Sequence, residues 1–175
     1  MRVIFNLIFC FVFALSIAAQ QKKADAPPLA PVFNVSSIDG KTFDSEKLKG
    51  KIVVLNLWFI NCPNCVEEIK LLNKLVDEYQ DKDVVFIGLA TNDKAKLEGF
   101  LKKNPFKYHI VPKAMQTILS FGEPNKDGEI NIPFPMHIVI DRDGVIVVRR
   151  SGIKGLDAVK AELRRQFESM PTKTE

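Results

Sequence analysis

Apolar residues in this chain fall into blocks of two kinds. Ile52 to Phe59 is apolar at every position except Asn56, the pattern of a strand buried on both faces. From Pro63 to about Tyr79 the apolar residues Val66, Ile69, Leu72, Leu75, Val76 and Tyr79 recur at three- and four-residue steps. Glu67, Lys70, Lys74 and Asp77 fall between them, which predicts an amphipathic helix. Val84 to Ala90 repeats the strand pattern. Strand, helix and strand in this order form a βαβ unit, whose crossover is expected to be right-handed.

The flanking segments extend the picture. Val32–Ser36 and Thr42-Phe43, around the turn Ile38-Asp39-Gly40-Lys41, predict a small hairpin with Asp-Gly as its turn signal. Ser45 to Leu48 reads as one helical turn, closed by Gly50. A second helix is expected over Asp93–Lys103, stopped by Asn104-Pro105, then a short strand at Tyr108–Val111 and a short helix at Lys113–Phe121. Gly122 to Pro133 is a polar loop. Met136–Ile140 and Val145–Arg149 are strands joined by Asp141-Arg142-Asp143-Gly144. The last helix runs from Leu156 to about Glu168, with Leu156, Val159, Leu163 and Phe167 as its apolar stripe. The fold class is α/β, and no internal repeat is present.

The first residues follow a different rule. Arg2 precedes an apolar run from Val3 to Ala18, broken only by Asn6 and Ser16, and small residues follow at Ser16-Ile17-Ala18-Ala19. This is the pattern of a secretory signal peptide over 1–19, cut after Ala19, with Ala18 as second choice. The alternative is an uncleaved anchor, and the run is short for a membrane span. Contact with a membrane is expected only through this segment, if it is uncleaved. Residues 20–31 become rich in Ala and Pro and read as a flexible or polyproline-like linker. The domain is expected over 32–170, with a tail at 171–175. Export puts the protein in the periplasm or cell envelope. The net charge of +4 is dispersed, and Arg149-Arg150 and Arg164-Arg165 stand alone, which excludes a nucleic-acid surface.

Signal cleavage would remove Cys10 and leave Cys62 and Cys65, separated by Pro63-Asn64, at the junction of strand and helix. Unpaired N–H groups at a helix start favour a thiolate there. Three readings are open: a redox pair, half of a metal site, or a structural disulfide. A loop this short constrains little chain, which disfavours the structural reading. Structural zinc takes four ligands, and the only histidines are His109 and His137. Pro63 has a plain role as well, since proline suits the first helical position.

With C-x-x-C at the first strand–helix junction, Trp58 before it and a Pro-led I-D-R-D-G hairpin after it, the chain resembles the thioredoxin fold. It is most similar to the exported TlpA/ResA-like redoxins, over about Val32 to Glu168. The resemblance implies a central mixed sheet flanked by helices, with an N-terminal hairpin extension. It implies a thiol–disulfide oxidoreductase acting on exported proteins, in cytochrome c maturation or envelope redox homeostasis. Such a protein needs no bound cofactor and no metal, but it needs protein thiol or disulfide substrates and an external redox partner.

Residue by residue, the resemblance makes Cys62 the exposed nucleophile, Cys65 the buried resolving cysteine and Pro135 the cis-proline facing them. Glu68 becomes the acidic residue beside the pair, and Trp58 the tryptophan packed near the site. Trp58, Phe134, Pro135 and Met136 are the expected substrate-binding residues. Asn61 replaces a usual aromatic, Pro63 precedes Asn64 where proline often comes second, and Met136-His137 replaces a small polar residue. Glu68 also reads as a solvated helix charge, Pro133 competes with Pro135, and His109 and His137 read as strand residues. One rival function is copper delivery through Cys62, Cys65 and His137. A peroxidase of the related peroxiredoxin family is the other, and the C-x-x-C pattern speaks against it.

Overall fold

The computed structural model describes residues 27–168. A five-stranded mixed sheet organises them, in the order β5-β4-β3-β6-β7. Its strands are β3 (Ile52–Trp58), β4 (Val84–Ala90), β5 (His109–Val111), β6 (Met136–Ile140) and β7 (Ile146–Ser151). β3 pairs in parallel with β4 and antiparallel with β6, so it lies at the centre, and all of its residues are buried. That burial is what its unbroken apolar run predicts. β1 (Asn34–Ser36) and β2 (Thr42–Asp44) form the separate hairpin.

The alternation of side chains along β3 sorts the core into two layers. Ile52, Val54 and Trp58 face α1 (Pro63–Glu67), α2 (Ile69–Tyr79) and α5 (Ile153–Glu168), with Leu72, Leu75, Leu156, Val159 and Leu163 packed on them. α3 (Lys94–Leu101) adds Leu97 and Phe100 on the same side. Val53, Leu55 and Leu57 face the other way, toward Phe33, Val35 and Phe43 of the hairpin region and Ile118 of α4 (Met115–Ser120). Among the described residues no helix is long and apolar enough to cross a membrane.

Four sequence expectations need correction. The helix after Pro63 is two helices, because Glu68 has ψ −9° and interrupts the regular turn. Ser45 to Leu48 forms turns rather than a helical turn. Lys47 and Leu48 both donate their N–H groups to the Asp44 carbonyl, Leu48 shares its N–H with the Ser45 carbonyl, and Lys51 turns back to the Leu48 carbonyl, so the segment is a run of turns. The end of the Pro-rich stretch is held in place. Leu29 bridges Val145, the Ala30 N–H donates to the Gly144 carbonyl, and the Ile146 N–H donates to the Pro28 carbonyl. Finally, the loop after α4 carries its own antiparallel bridge, Pro124 to Ile130. The Asn125 side chain organises it by accepting the N–H groups of Asp127 and Glu129. The expected signal segment and the tail lie outside the described residues.

Candidate active site

The site forms where β3 ends. Trp58 is its last residue, and Cys62 is the N-cap of α1, with Pro63 in the first helical turn. The connection between them is held by the Ile60 N–H, which donates to Asn92 Oδ1 at 2.8 Å. Cys62 and Cys65 are joined by a disulfide, with Cα atoms 5.2 Å apart. The Cys65 backbone N–H donates to Cys62 Sγ at 3.2 Å. A helix-start donor aimed at that sulfur stabilises negative charge on it once the disulfide is reduced.

In this oxidised state Cys62 is 5 % exposed and Cys65 2 %. The expectation of an exposed nucleophile beside a buried partner is therefore corrected: with the disulfide closed, both residues are buried to nearly the same degree.

Phe134-Pro135 is a cis peptide, and Pro133 is not, so the choice between the two prolines falls on Pro135. The register of β3 against β6, Leu57 opposite Met136, brings this segment beside the end of β3. Phe134 is half-buried, and its ring meets that of Phe59 edge-on with centroids 5.2 Å apart. The Pro135 carbonyl accepts from the Gly152 N–H, whereas Phe134 makes no backbone–backbone hydrogen bond among the described residues. Phe134 thus keeps a free backbone edge. Met136 is half-buried and borders a groove of about 280 Å³ that Leu57, Pro124, Ile132 and Arg149 also line. Trp58 does not fit its expected place among the substrate-binding residues. It is 1 % exposed, and its ring stacks on Phe106 at 4.7 Å and packs against Phe100, so it supports the site from within.

A buried polar chain begins three residues after Cys65. Cys65 and Glu68 are three residues apart in sequence, a spacing that puts them on one helical side. Glu68 is 1 % exposed, which removes its reading as a solvated charge; the adjacent Glu67 is exposed. Asn56 Nδ2 donates to Glu68 Oε1 at 3.1 Å, and His137 Nε2 lies 3.1 Å from Glu68 Oε2. The Tyr108 hydroxyl donates to Asn56 Oδ1 at 3.2 Å. Burial first, and then the Glu68 charge, hold the Tyr108 phenol well above its ordinary value of 10.0. Such a network is costly to break, because each lost partner leaves a polar atom stranded at low dielectric.

Two glycines make the network possible. A Cβ on Gly88, the register neighbour of Asn56, would stand 3.0 Å from the Tyr108 ring and 3.1 Å from Trp58 Nε1. A Cβ on Gly155 of α5 would stand 2.7 Å from the His137 ring.

Asn56, His137 and Tyr108 were not recognised in the sequence as parts of a network. The first two carried a signal, since each is a lone polar residue inside an apolar strand; Tyr108 carried none. His109 lies elsewhere, half-buried on β5 with Nδ1 2.8 Å from the Asp39 carboxylate. The copper reading required Cys62, Cys65 and His137 together. Among the described residues no three ligating side chains come together as a cation site, and His137 Nε2 faces Glu68.

Residues 28–149 match the AhpC/TSA family. The thiol-disulfide oxidoreductase ResA of Bacillus thuringiensis is 28 % identical over 170 residues, covering 94 % of each chain. The thiol:disulfide interchange protein DsbE of Yersinia pestis is 30 % identical over 136 residues, or 70 % of this chain and 62 % of that one. Among solved structures, a thiol:disulfide interchange protein of the thioredoxin family from Chlorobium tepidum superposes with a TM-score of 0.63 at 26 % identity. That match covers 79 % of this chain and 98 % of the other.

Proposed function

The chain belongs to the AhpC/TSA family, and on that premise we propose how its cysteine pair works. It is a thiol–disulfide oxidoreductase with a thioredoxin fold. The observation that carries the reading is the Cys62–Cys65 disulfide at a helix start, with a buried carboxylate three residues on.

In the reduced protein the Cys62 thiolate attacks a substrate disulfide. One substrate sulfur leaves as a thiolate, and the other stays bonded to Cys62. Cys65 gives its proton to Glu68 and attacks Cys62 Sγ, which breaks the mixed disulfide and releases the second substrate sulfur. Two electrons have then passed from the protein pair to the substrate. Run in reverse, the same steps oxidise a substrate dithiol.

The free backbone edge of Phe134 and the groove beside Met136, which Leu57 and Ile132 line together with Glu123 and Arg149, support an extended protein segment as substrate. We assign the protein to the cell envelope, after cleavage at Ala19, with residues 32–170 as the working domain. Cytochrome c maturation and envelope redox homeostasis are the two settings that its resemblance to the exported redoxins implies. The clients are proteins with exposed cysteine pairs, and an external redox protein resets Cys62–Cys65 after each turnover.

Cys65→Ser tests the order of attack. It leaves Cys62 able to form mixed disulfides and removes the residue that resolves them. Covalent adducts should therefore accumulate on Cys65→Ser and be absent on Cys62→Ser, with non-reducing electrophoresis and mass spectrometry as the readout. Equal adducts on both variants would reverse the roles of the two cysteines.

A further inference from the structure

His137 is wholly buried, and the mechanism so far gives it no task. Its Nε2 meets Glu68 Oε2, while its Nδ1 has no hydrogen-bond partner and no solvent. An imidazolium must donate from both nitrogens, and here one N–H would point at nothing. The neutral ring with its proton on Nε2 leaves only a lone pair unmatched, which is the cheaper defect. The buried donors then all run toward one carboxylate. Tyr108 donates to Asn56, Asn56 to Glu68 Oε1, and His137 to Glu68 Oε2. Each carboxylate oxygen holds one donor and keeps a second lone pair.

The other groups around His137 do not compete for Nε2. Arg150 is its register partner on β7 and turns an N–H back to the Arg149 carbonyl. Lys154 and Asp157 flank Gly155 on α5 and are exposed. Asn56 on β3 is neutral and already bonded at both ends. Gly155 lets α5 close over the ring.

We propose that His137 is a positioning residue of the resolving step: its Nε2–H holds the buried Glu68 carboxylate in place to take the Cys65 proton. The proposal rests on the roles given above to Cys65 and Glu68. In that step the Cys65 Sγ–H bond breaks and its proton goes to a Glu68 oxygen. The new thiolate bonds to Cys62 Sγ, and the Cys62–substrate bond breaks with its electron pair leaving on the substrate sulfur.

The test follows the reduced full-length chain reacting with an aromatic nitrobenzoate disulfide. One coloured thiolate is released when Cys62 attacks and a second when Cys65 closes the ring. The rate of the second release against pH has a midpoint set by the base. Removing the donor in His137→Leu makes the ionised carboxylate harder to hold, so the midpoint should move to higher pH by about one unit. His137→Gln, which keeps an N–H at similar reach, should return most of the shift. The first release should be unchanged in both.

The proposal is overturned if His137→Leu and wild type share one midpoint while Glu68→Gln alters it. If Glu68→Gln also leaves the second release untouched, the reading of Glu68 itself fails. Nitrogen NMR of wild-type His137 decides the matter if His137→Leu does not fold. The proposal requires the ring proton on Nε2, and a ring that carries its proton on Nδ1 alone refutes it.

Discussion

A single methyl group at Gly155 should disturb both the fold and the site. In Gly155→Ala the new Cβ would stand 2.7 Å from His137 Cδ2 and 2.8 Å from the Arg150 carbonyl oxygen. Ordinary contact begins near 3.4 Å, so both gaps are more than half an ångström short. Neither neighbour yields easily. The carbonyl belongs to β7, and His137 is held at Glu68. α5 must therefore lift from the sheet, or the imidazole must turn.

Overpacking of this kind costs about 1–3 kcal/mol. Alanine recovers up to about 1 kcal/mol through its better helix propensity. The net loss should be about 0–2 kcal/mol, which lowers Tm by up to roughly 8 °C in a domain of this size. The control is Gly99→Ala in α3, where a Cβ meets nothing within 4 Å. With propensity alone at work, it should gain about 0.5–1 kcal/mol. Urea unfolding followed through Trp58, the single tryptophan, reads both variants, with m unchanged if only stability has moved. If Gly155→Ala gains stability as Gly99→Ala does, the close packing of α5 on His137 is refuted.

Two further outcomes are expected. The folded Tyr108 phenol ionises well above its unfolded value, so its contribution is intact below about pH 10 and is lost as pH rises past that point. Stability measured by urea unfolding should fall above about pH 10, less steeply in Tyr108→Phe; an identical slope in both would remove Tyr108 as the cause. Trimming Glu123 to Glu129 removes the Asn125 turn and the Glu123–Arg149 ion pair beside the Met136 groove. Exchange with dithiothreitol should stay near normal while reduction of a trapped protein client slows; equal rates with the client would make the segment a mere spacer.

The central strand and the cysteine junction were legible because they depend on local pattern. Ile52–Phe59 and Val84–Ala90 are apolar runs of strand length, and Pro63 opens the helix after Cys62. Features that depend on distant partners were not legible. Pro28–Ala30 read as linker because its hydrogen-bonding partners, Gly144 to Ile146, lie far along the chain. The break at Glu68 was hidden because apolar spacing continues across it from Val66 to Ile69. Glu68 itself was readable only as a candidate. Whether a helical carboxylate is solvated or buried depends on Asn56 and His137, which reach it from two other strands. Cys62 was expected to be exposed because the resemblance carries over a role, and a role says nothing about cover from this chain's own neighbouring segments.

The bond between Pro28–Ala30 and the β6–β7 turn fixes the direction in which the molecule points. β3 runs from Ile52 to Trp58 and delivers the cysteines at its far end, while β6 returns antiparallel and places its turn at the near end. At about 3.3 Å per residue, the seven residues of β3 put roughly 20 Å between the two poles. Whatever precedes Pro28 therefore joins the domain at the pole opposite the disulfide. A client that reaches the cysteines therefore meets the pole opposite the one at which the chain enters the domain.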